Sequence, residues 1–238
     1  MKFALIGYGK MGKAIEAIAL QRGHKVDLKI DIDNMASFTK ANLQRCDVAI
    51  EFTGPHSATK NIVKCFDAGI PVVSGSTGWL DDRVGVEKDC KENNGSFLYA
   101  SNFSVGVNIF FEVNKKLAQL MKQQSAYDVR IEEIHHTQKK DAPSGTAITL
   151  AEEVLHEVPR KTKWVNHVSG QPEELTITSK RMDPAPGTHA VKYYSAIDDI
   201  EIIHTAHSRE GFALGAVLAA EFIHNKKGIF SMQDVLGL

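Results

Sequence analysis

An apolar run, Phe3-Ala4-Leu5-Ile6, passes directly into Gly7-Tyr8-Gly9-Lys10-Met11-Gly12 and then into a stretch with apolar residues at Ile15, Ile18 and Ala19. Strand, glycine loop and amphipathic helix in that order open a βαβ unit, which few architectures accommodate. Glycines at these spacings permit a tight turn and let the backbone approach a pyrophosphate, whose charge meets N–H groups at the helix N-terminus. A glycine-rich turn with no ligand has the same spacing, but here a second strand follows. Val26, Leu28 and Ile30 alternate with Lys25, Asp27 and Lys29, and the strand runs out at Asp31. An acid at that place can accept hydrogen bonds from both ribose hydroxyls of an adenosine, with Asp33 as a near rival. Its charge repels a 2′-phosphate, while Lys10 in the loop offsets that repulsion. The sequence thus predicts a dinucleotide site at Gly7, Tyr8, Gly9, Lys10, Met11, Gly12 and Asp31, filled by NADH or NADPH.

The alternation continues for nearly a hundred residues. Val48 to Phe52, Pro71 to Ser74 and Phe97 to Ala100 read as strands, and Ser57 to Ala68 and Asp82 to Asn93 read as helices. Ligands of open parallel sheets bind beyond the carboxyl ends of the strands. Gly75, Ser76 and Thr77 stand at one such end, and Ala100, Ser101, Asn102 and Phe103 at another, although ordinary loops have the same composition. After Asn102 the grammar changes: one long helix from Val105 to about Gln124, then strands at Asp128 to His135, Leu175 to Arg181, Ala190 to Tyr194 and Asp199 to His207. Arg160 to Glu174 and Met182 to His189, rich in Pro, Gly and polar residues, read as surface loops. Phe212 to Phe222 returns to an apolar helix, and the segment ending in Asp234-Val235-Leu236 is expected to pack back on the first domain. The expected fold is α/β. A Rossmann-type parallel-sheet domain covers residues 1–104, a second α+β domain on a mixed or antiparallel sheet covers 105–208, and C-terminal helices over 209–238 return to the first.

Bulk properties remove several classes of function. The chain of 238 residues has a net charge of -1, with Lys and Arg scattered among Asp and Glu, so neither nucleic acid nor a membrane is an expected partner. Its three cysteines, Cys46, Cys65 and Cys90, lack CxxC spacing, which argues against a disulfide framework or zinc site and favours the reducing cytoplasm. The N-terminal apolar run is too short for a signal peptide or a membrane span.

The segment richest in chemistry is His135-His136-Thr137-Gln138-Lys139-Lys140-Asp141-Ala142-Pro143-Ser144-Gly145-Thr146, which joins a strand to a helix with an apolar stripe at Ile148, Ala151, Val154, Leu155 and Val158. Ser144, Gly145 and Thr146 fall at the helix N-terminus, where N–H groups and the positive dipole end favour a carboxylate. A bare helix cap would account for Pro-Ser-Gly-Thr by itself. Two histidines and two lysines beside it add proton donors and positive charge suited to an anionic substrate. No metal is expected, because adjacent histidines on a strand face opposite ways and no spaced third ligand is visible nearby.

The string from His135 to Ala147 is similar to the HHxxKxDAPSGTA signature of the dihydrodipicolinate reductases, also called 4-hydroxy-tetrahydrodipicolinate reductases. Ser101 to Asn108 resembles that family's NFSxGVN segment, and Phe230 to Leu236 resembles its terminal helix. The likeness runs through the whole chain in matching order. It implies an NAD(P)H-dependent oxidoreductase of diaminopimelate and lysine biosynthesis, acting on a small cyclic imine dicarboxylate and assembled as a homotetramer through the second domain's sheet. His135 and Lys139 would transfer protons, His136 would contact the substrate, and Ser144, Gly145 and Thr146 would cradle a carboxylate. Arg209 would join the dinucleotide contacts near the hinge between domains. The chain departs from the family in a first loop one residue shorter, with Lys10 in place of arginine, and in Glu210-Gly211 after Arg209. Another two-domain dehydrogenase, acting on an amino acid or sugar, would share the first domain but not act on the dipicolinate precursor. A dinucleotide sensor would tolerate loss of His135 and Lys139.

Overall fold

In the computed structural model, which describes residues 1–208 and 210–238, the chain divides into two units: 1–105 with 209–238, and 106–208. Arg209 lies outside the described residues. The first unit opens with β1 (Lys2–Ile6), α1 (Lys10–Gln21) and β2 (Lys25–Ile30), then a 3-10 turn over Ile32–Ser37. It continues through α2 (Lys40–Leu43), β3 (Val48–Glu51), α3 (Pro55–Ala68), β4 (Val72–Ser74), α4 (Arg83–Glu92) and β5 (Ser96–Tyr99). The second unit comprises α5 (Val105–Met121), β6 (Asp128–His135), α6 (Gly145–Glu157), β7 (Lys163–Val165), β8 (Glu174–Arg181), β9 (Gly187–Tyr194) and β10 (Asp199–Ala206). The chain then rejoins the first unit as α7 (Glu210–Ile223), β11 (Gly228–Phe230) and α8 (Met232–Leu236).

Six strands of the first unit form a parallel sheet in the order β11-β5-β4-β3-β1-β2. Side chains alternate across a strand, and both faces here are apolar. Ala4, Ile6, Ala49, Val72 and Phe97 pack with Ile62, Phe66 and Val86 on one side. Phe3, Leu5, Ile50, Val73 and Leu98 pack with Ile15, Ala19, Ala216 and Ala220 on the other. Fully burying one such Leu, Ile or Phe is worth roughly 1.5–3 kcal/mol. The strand termini that feed the glycine loop are thereby held rigid. At Gly215 of α7 an added Cβ would lie 1.7 Å from the Phe103 carbonyl oxygen, so only glycine lets this helix approach the end of the β5 loop.

The second unit is a mixed five-stranded sheet, β10-β9-β6-β8-β7, with β6 antiparallel to β9 and parallel to β8. Its inward positions Val129, Ile131, Leu175, Ile177, Val191 and Tyr193 bury against Phe110, Phe111, Leu150 and Val154 of α5 and α6. Among the described residues no helix is long and apolar enough to cross a membrane.

Three expectations need correction. The stretch 160–174 is not all loop, because Lys163–Val165 forms β7 beside β8. Likewise β9 begins at Gly187, inside the predicted loop 182–189. The C-terminal segment is not helical throughout: Gly228–Phe230 adds the sixth strand, parallel to β5. β7 and β11, at three residues each, carry too little alternation to stand out against their surroundings.

Candidate active site and dinucleotide loop

The loop after β1 is shaped by steric exclusion. Gly7 has φ +92°, and a Cβ there would stand 2.0 Å from the Phe52 carbonyl oxygen; a Cβ at Gly12 would stand 2.3 Å from the Gly7 carbonyl oxygen. Gly9 caps α1 without any side-chain hydrogen bond, and a Cβ on it would meet nothing within 4 Å. The helix N-terminus is thus open to a close-approaching anion, which fits a dinucleotide pyrophosphate. Lys10, Met11 and Gly12 form the first turn of α1 rather than preceding it, with Lys10 exposed and Met11 packed into the core. Tyr8 hydrogen-bonds Glu16, and Lys29 pairs with the same carboxylate at 2.5 Å while lying 4.9 Å over the Tyr8 ring. The bond from Lys29, with that from Tyr8, holds the Glu16 carboxyl below its ordinary value. Asp31 is exposed just past β2 and accepts the Ile32 N–H at 2.9 Å, capping the 3-10 turn.

One carboxylate ties the loop after β4 to the end of β3. Glu51, at the end of β3, is fully buried and accepts from Ser74 Oγ (2.7 Å), Ser76 Oγ (2.9 Å) and Thr53 N (3.0 Å). Ser76 Oγ also accepts the Thr53 N–H at 2.8 Å, so its hydroxyl is engaged within the loop. Gly75 is required by the Phe52 ring, which an added Cβ would approach to 2.2 Å; Thr77 is exposed. In the second loop Ala100 N donates to Ser74 O (3.3 Å), Ser101 is exposed, Asn102 Oδ1 accepts the Ser104 N–H (2.9 Å), and Phe103 is buried against Phe52. Sequence reasoning missed Glu51, although an acid ending an apolar strand, followed by hydroxyls at 53, 74 and 76, was a readable signal.

In the second unit the alternation of β6 puts Val129, Ile131, Glu133 and His135 on the buried face. The last two are polar at positions that the pattern reserves for apolar side chains. Glu133 is fully buried; its Oε2 accepts the Ser144 N–H at 3.0 Å and its Oε1 accepts from Arg181 Nη2 at 3.2 Å. Burial works against its ionisation, but hydrogen bonds from Ser144, Ser179 and Arg181 prevail and hold its carboxyl below the ordinary range. From β9, His189 brings Nε2 to 3.0 Å from Ser144 Oγ and 3.8 Å from Glu133 Oε2. The His135 and His189 rings meet edge to face at 5.0 Å. Burial pushes His189 down to about 4, and it lowers His135 as well, where Lys139, Arg181 and His136 press the same way and Glu133 opposes.

Ser144 is the N-cap of α6, its Oγ accepting the Ala147 N–H at 3.2 Å, so Glu133 and His189 together pin the start of that helix. Gly145 is exposed, with nothing within 4 Å of where a Cβ would project, and Thr146 follows it in the first turn. Lys139 Nζ is held by Asp141 at 2.8 and 2.9 Å, a bond that lowers the Asp141 carboxyl, and Arg181 Nη2 clasps the Asp141 carbonyl at 2.6 Å. His136, half-buried, continues past the strand. Glu133, His189, Arg181 and Asp141 were not foreseen. For Glu133 the signal was a polar residue at an inward strand position; His189 fell in a stretch that reads as loop.

The expectation that no third ligating group stands near His135 is corrected: Glu133, His135 and His189 each offer an atom, all within 4.8 Å of one another. The Arg181 guanidinium already supplies the cation for that carboxylate, and His189 Nε2 is engaged by Ser144. Neither imidazole hydrogen-bonds Glu133; each brings a ring nitrogen to 3.8 Å from its Oε2.

The family model described as "Dihydrodipicolinate reductase, N-terminus" matches residues 1–103, and "Dihydrodipicolinate reductase, C-terminus" matches 106–236. A protein of Christiangramia forsetii named 4-hydroxy-tetrahydrodipicolinate reductase is 52% identical over 236 residues, covering 99% of this chain and 98% of that protein. One of the same name from Neisseria gonorrhoeae is 34% identical over 94% of this chain and 84% of its own length. Among solved structures, the dipicolinate-bound dihydrodipicolinate reductase from Paenisporosarcina sp. TG-14 shares the fold with a TM-score of 0.77, at 21% identity over 98% of each chain.

Proposed function

The chain belongs to the dihydrodipicolinate reductase family, and on that premise we propose that His135 and Lys139 move the protons of its reaction while the first turn of α6 grips a substrate carboxylate. The reaction is the NADH- or NADPH-dependent reduction of 4-hydroxy-tetrahydrodipicolinate to tetrahydrodipicolinate, in diaminopimelate and lysine biosynthesis. The dinucleotide, when bound, supplies the hydride. The N-terminus of α1 with Gly7 to Gly12 would hold its pyrophosphate, Asp31 its ribose, and Gly75 to Thr77 with Ala100 to Phe103 the remainder.

Negative charge arriving on the conjugated imine must be quenched, and a proton donor placed for that purpose lowers the barrier. His135, with its acid strength raised by burial and neighbouring cations, gives up a proton readily. Lys139, positioned by Asp141, adds a second donor and offsets the dianion's charge. Ser144, Gly145 and Thr146 present the helix N-terminus to one carboxylate, and His136 contacts the same ligand. The observation that carries this reading is the tethering of the α6 cap to the His135 strand through Glu133, which holds proton donor and anion cradle in one rigid constellation.

We also infer a homotetramer built through the second unit's sheet and a cytoplasmic setting. Family membership supports the first. Three buried free thiols, Cys46, Cys65 and Cys90, fit the second. The test is consumption of NADH and of NADPH by the purified protein with freshly generated 4-hydroxy-tetrahydrodipicolinate. Substrate-dependent oxidation of either is expected; oxidation of neither would overturn the reading.

A further inference from the structure

Glu133 stands apart among the acids of the second unit because it is fully buried and both of its oxygens are fixed, one by the Ser144 N–H and the other by Arg181. Such a carboxylate cannot rotate away from its neighbours. The nearest imidazole atom on its own strand is His135 Nδ1, 3.8 Å from Oε2, and that nitrogen is buried with no hydrogen-bond partner. Catalytic hydrogen bonds are often long before a ligand arrives and tighten in the complex. The other ring nitrogen has different surroundings. Nε2 lies 3.2 Å from where a Cβ on Gly187 would project, so the missing side chain leaves space beside Nε2 for a ligand atom.

We propose that Glu133 is a positioning residue for the reduction: its fixed carboxylate holds the His135 proton on Nδ1, turns Nε2 towards the substrate, and balances the imidazolium. When His135 acts as donor, the Nε2–H bond breaks, the electron pair stays on Nε2, and the ring is left neutral with its remaining proton on Nδ1 facing Glu133. The proton passes to the substrate acceptor, and solvent restores it. Carboxylates commonly fix a histidine tautomer in this way. The other groups facing His135 cannot do so. Lys139 and His136 on the following loop and Arg181 on β8 disfavour the imidazolium, and His189 on β9 is held neutral against Ser144.

The proposal rests on the assignment of His135 as the proton-transfer group, but its deciding measurement needs no substrate. Glu133→Gln keeps the shape and an oxygen to accept the Ser144 N–H while removing the charge. NMR titration of the His135 ring should show its pKa falling by about one unit or more in that variant, the size of an opposite charge lost at this range. The low-pH to high-pH midpoint of kcat should move with it. An unchanged His135 pKa in folded E133Q would mean a merely structural carboxylate and overturn the proposal. Should E133Q fail to fold, long-range proton–nitrogen correlation spectra of the unaltered protein decide: the Nδ1–H tautomer is expected, and the Nε2–H tautomer would refute it. If instead His135→Gln retains full activity, the proton-transfer assignment fails by itself, whatever these spectra show.

Discussion

His189 shows how one buried ring couples stability to acidity. Its value lies at about 4 in the fold against 6.5 for an ordinary histidine, so between those limits the unfolded chain binds more protons than the native one. The stabilisation associated with the neutral ring is complete above about 6.5 and is lost as pH falls towards 4, on the order of 3 kcal/mol. The lowered values of Glu133 and His135 act in the same direction. Denaturant unfolding across this range should therefore show a shallower loss of stability in His189→Asn than in the parent, and parallel curves would refute the assignment. At Lys139 the consequence is kinetic. Under the proposed role, replacing it with Met takes away a proton donor and a charge outside the dinucleotide unit, so kcat should fall roughly a hundredfold or more while dinucleotide affinity, measured by fluorescence titration, stays near the parent value. At this scale the motif residues were legible because His, Lys and a helix cap crowd one short segment. Glu133 and His189 were not, because β6 and β9 pair residues that lie far apart in the chain, and only the register Glu133↔His189 brings them side by side.

Among the elements, α1 and its loop depend most strictly on residue type. A Cβ at Gly12 would press to 2.3 Å from the Gly7 carbonyl, and forced overpacking of this kind costs about 1–3 kcal/mol. Gly12→Ala should lower the melting temperature and weaken dinucleotide binding roughly tenfold, with calorimetry as the check; parent-like binding would show that the loop tolerates displacement. Elements with sustained periodicity were readable from the chain. The eight residues of β6 emerged with the bounds Asp128 to His135, and α1, α5 and α7 followed from their apolar stripes. What stayed hidden was short or shaped by distant partners. β7 and β11 span three residues each and exist through pairing with β8 and β5. α3 begins at Pro55, earlier than its apolar stripe indicates, because proline suits the first helical turn.

On the scale of the whole molecule, the alternating and then mixed grammar of the chain corresponds to a six-stranded parallel sheet in one unit and a five-stranded mixed sheet in the other. Each unit has its own core and its own polar cluster: glycine loop and Glu51 network in the first, Glu133 network and α6 cap in the second. Activity was legible through the His135 to Ala147 string, while the juxtaposition of Glu133 with His189 became visible only once strands were paired. The central claim is that the second unit holds a dicarboxylate at the α6 N-terminus beside His135 and Lys139. The most direct measurement is a crystal structure of the protein with oxidised dinucleotide and a planar cyclic dicarboxylate that cannot be reduced. One carboxylate should lie within hydrogen-bonding distance of the Gly145 and Thr146 N–H groups, with the ring beside His135 Nε2; a ligand bound away from both His135 and Lys139 would contradict the account.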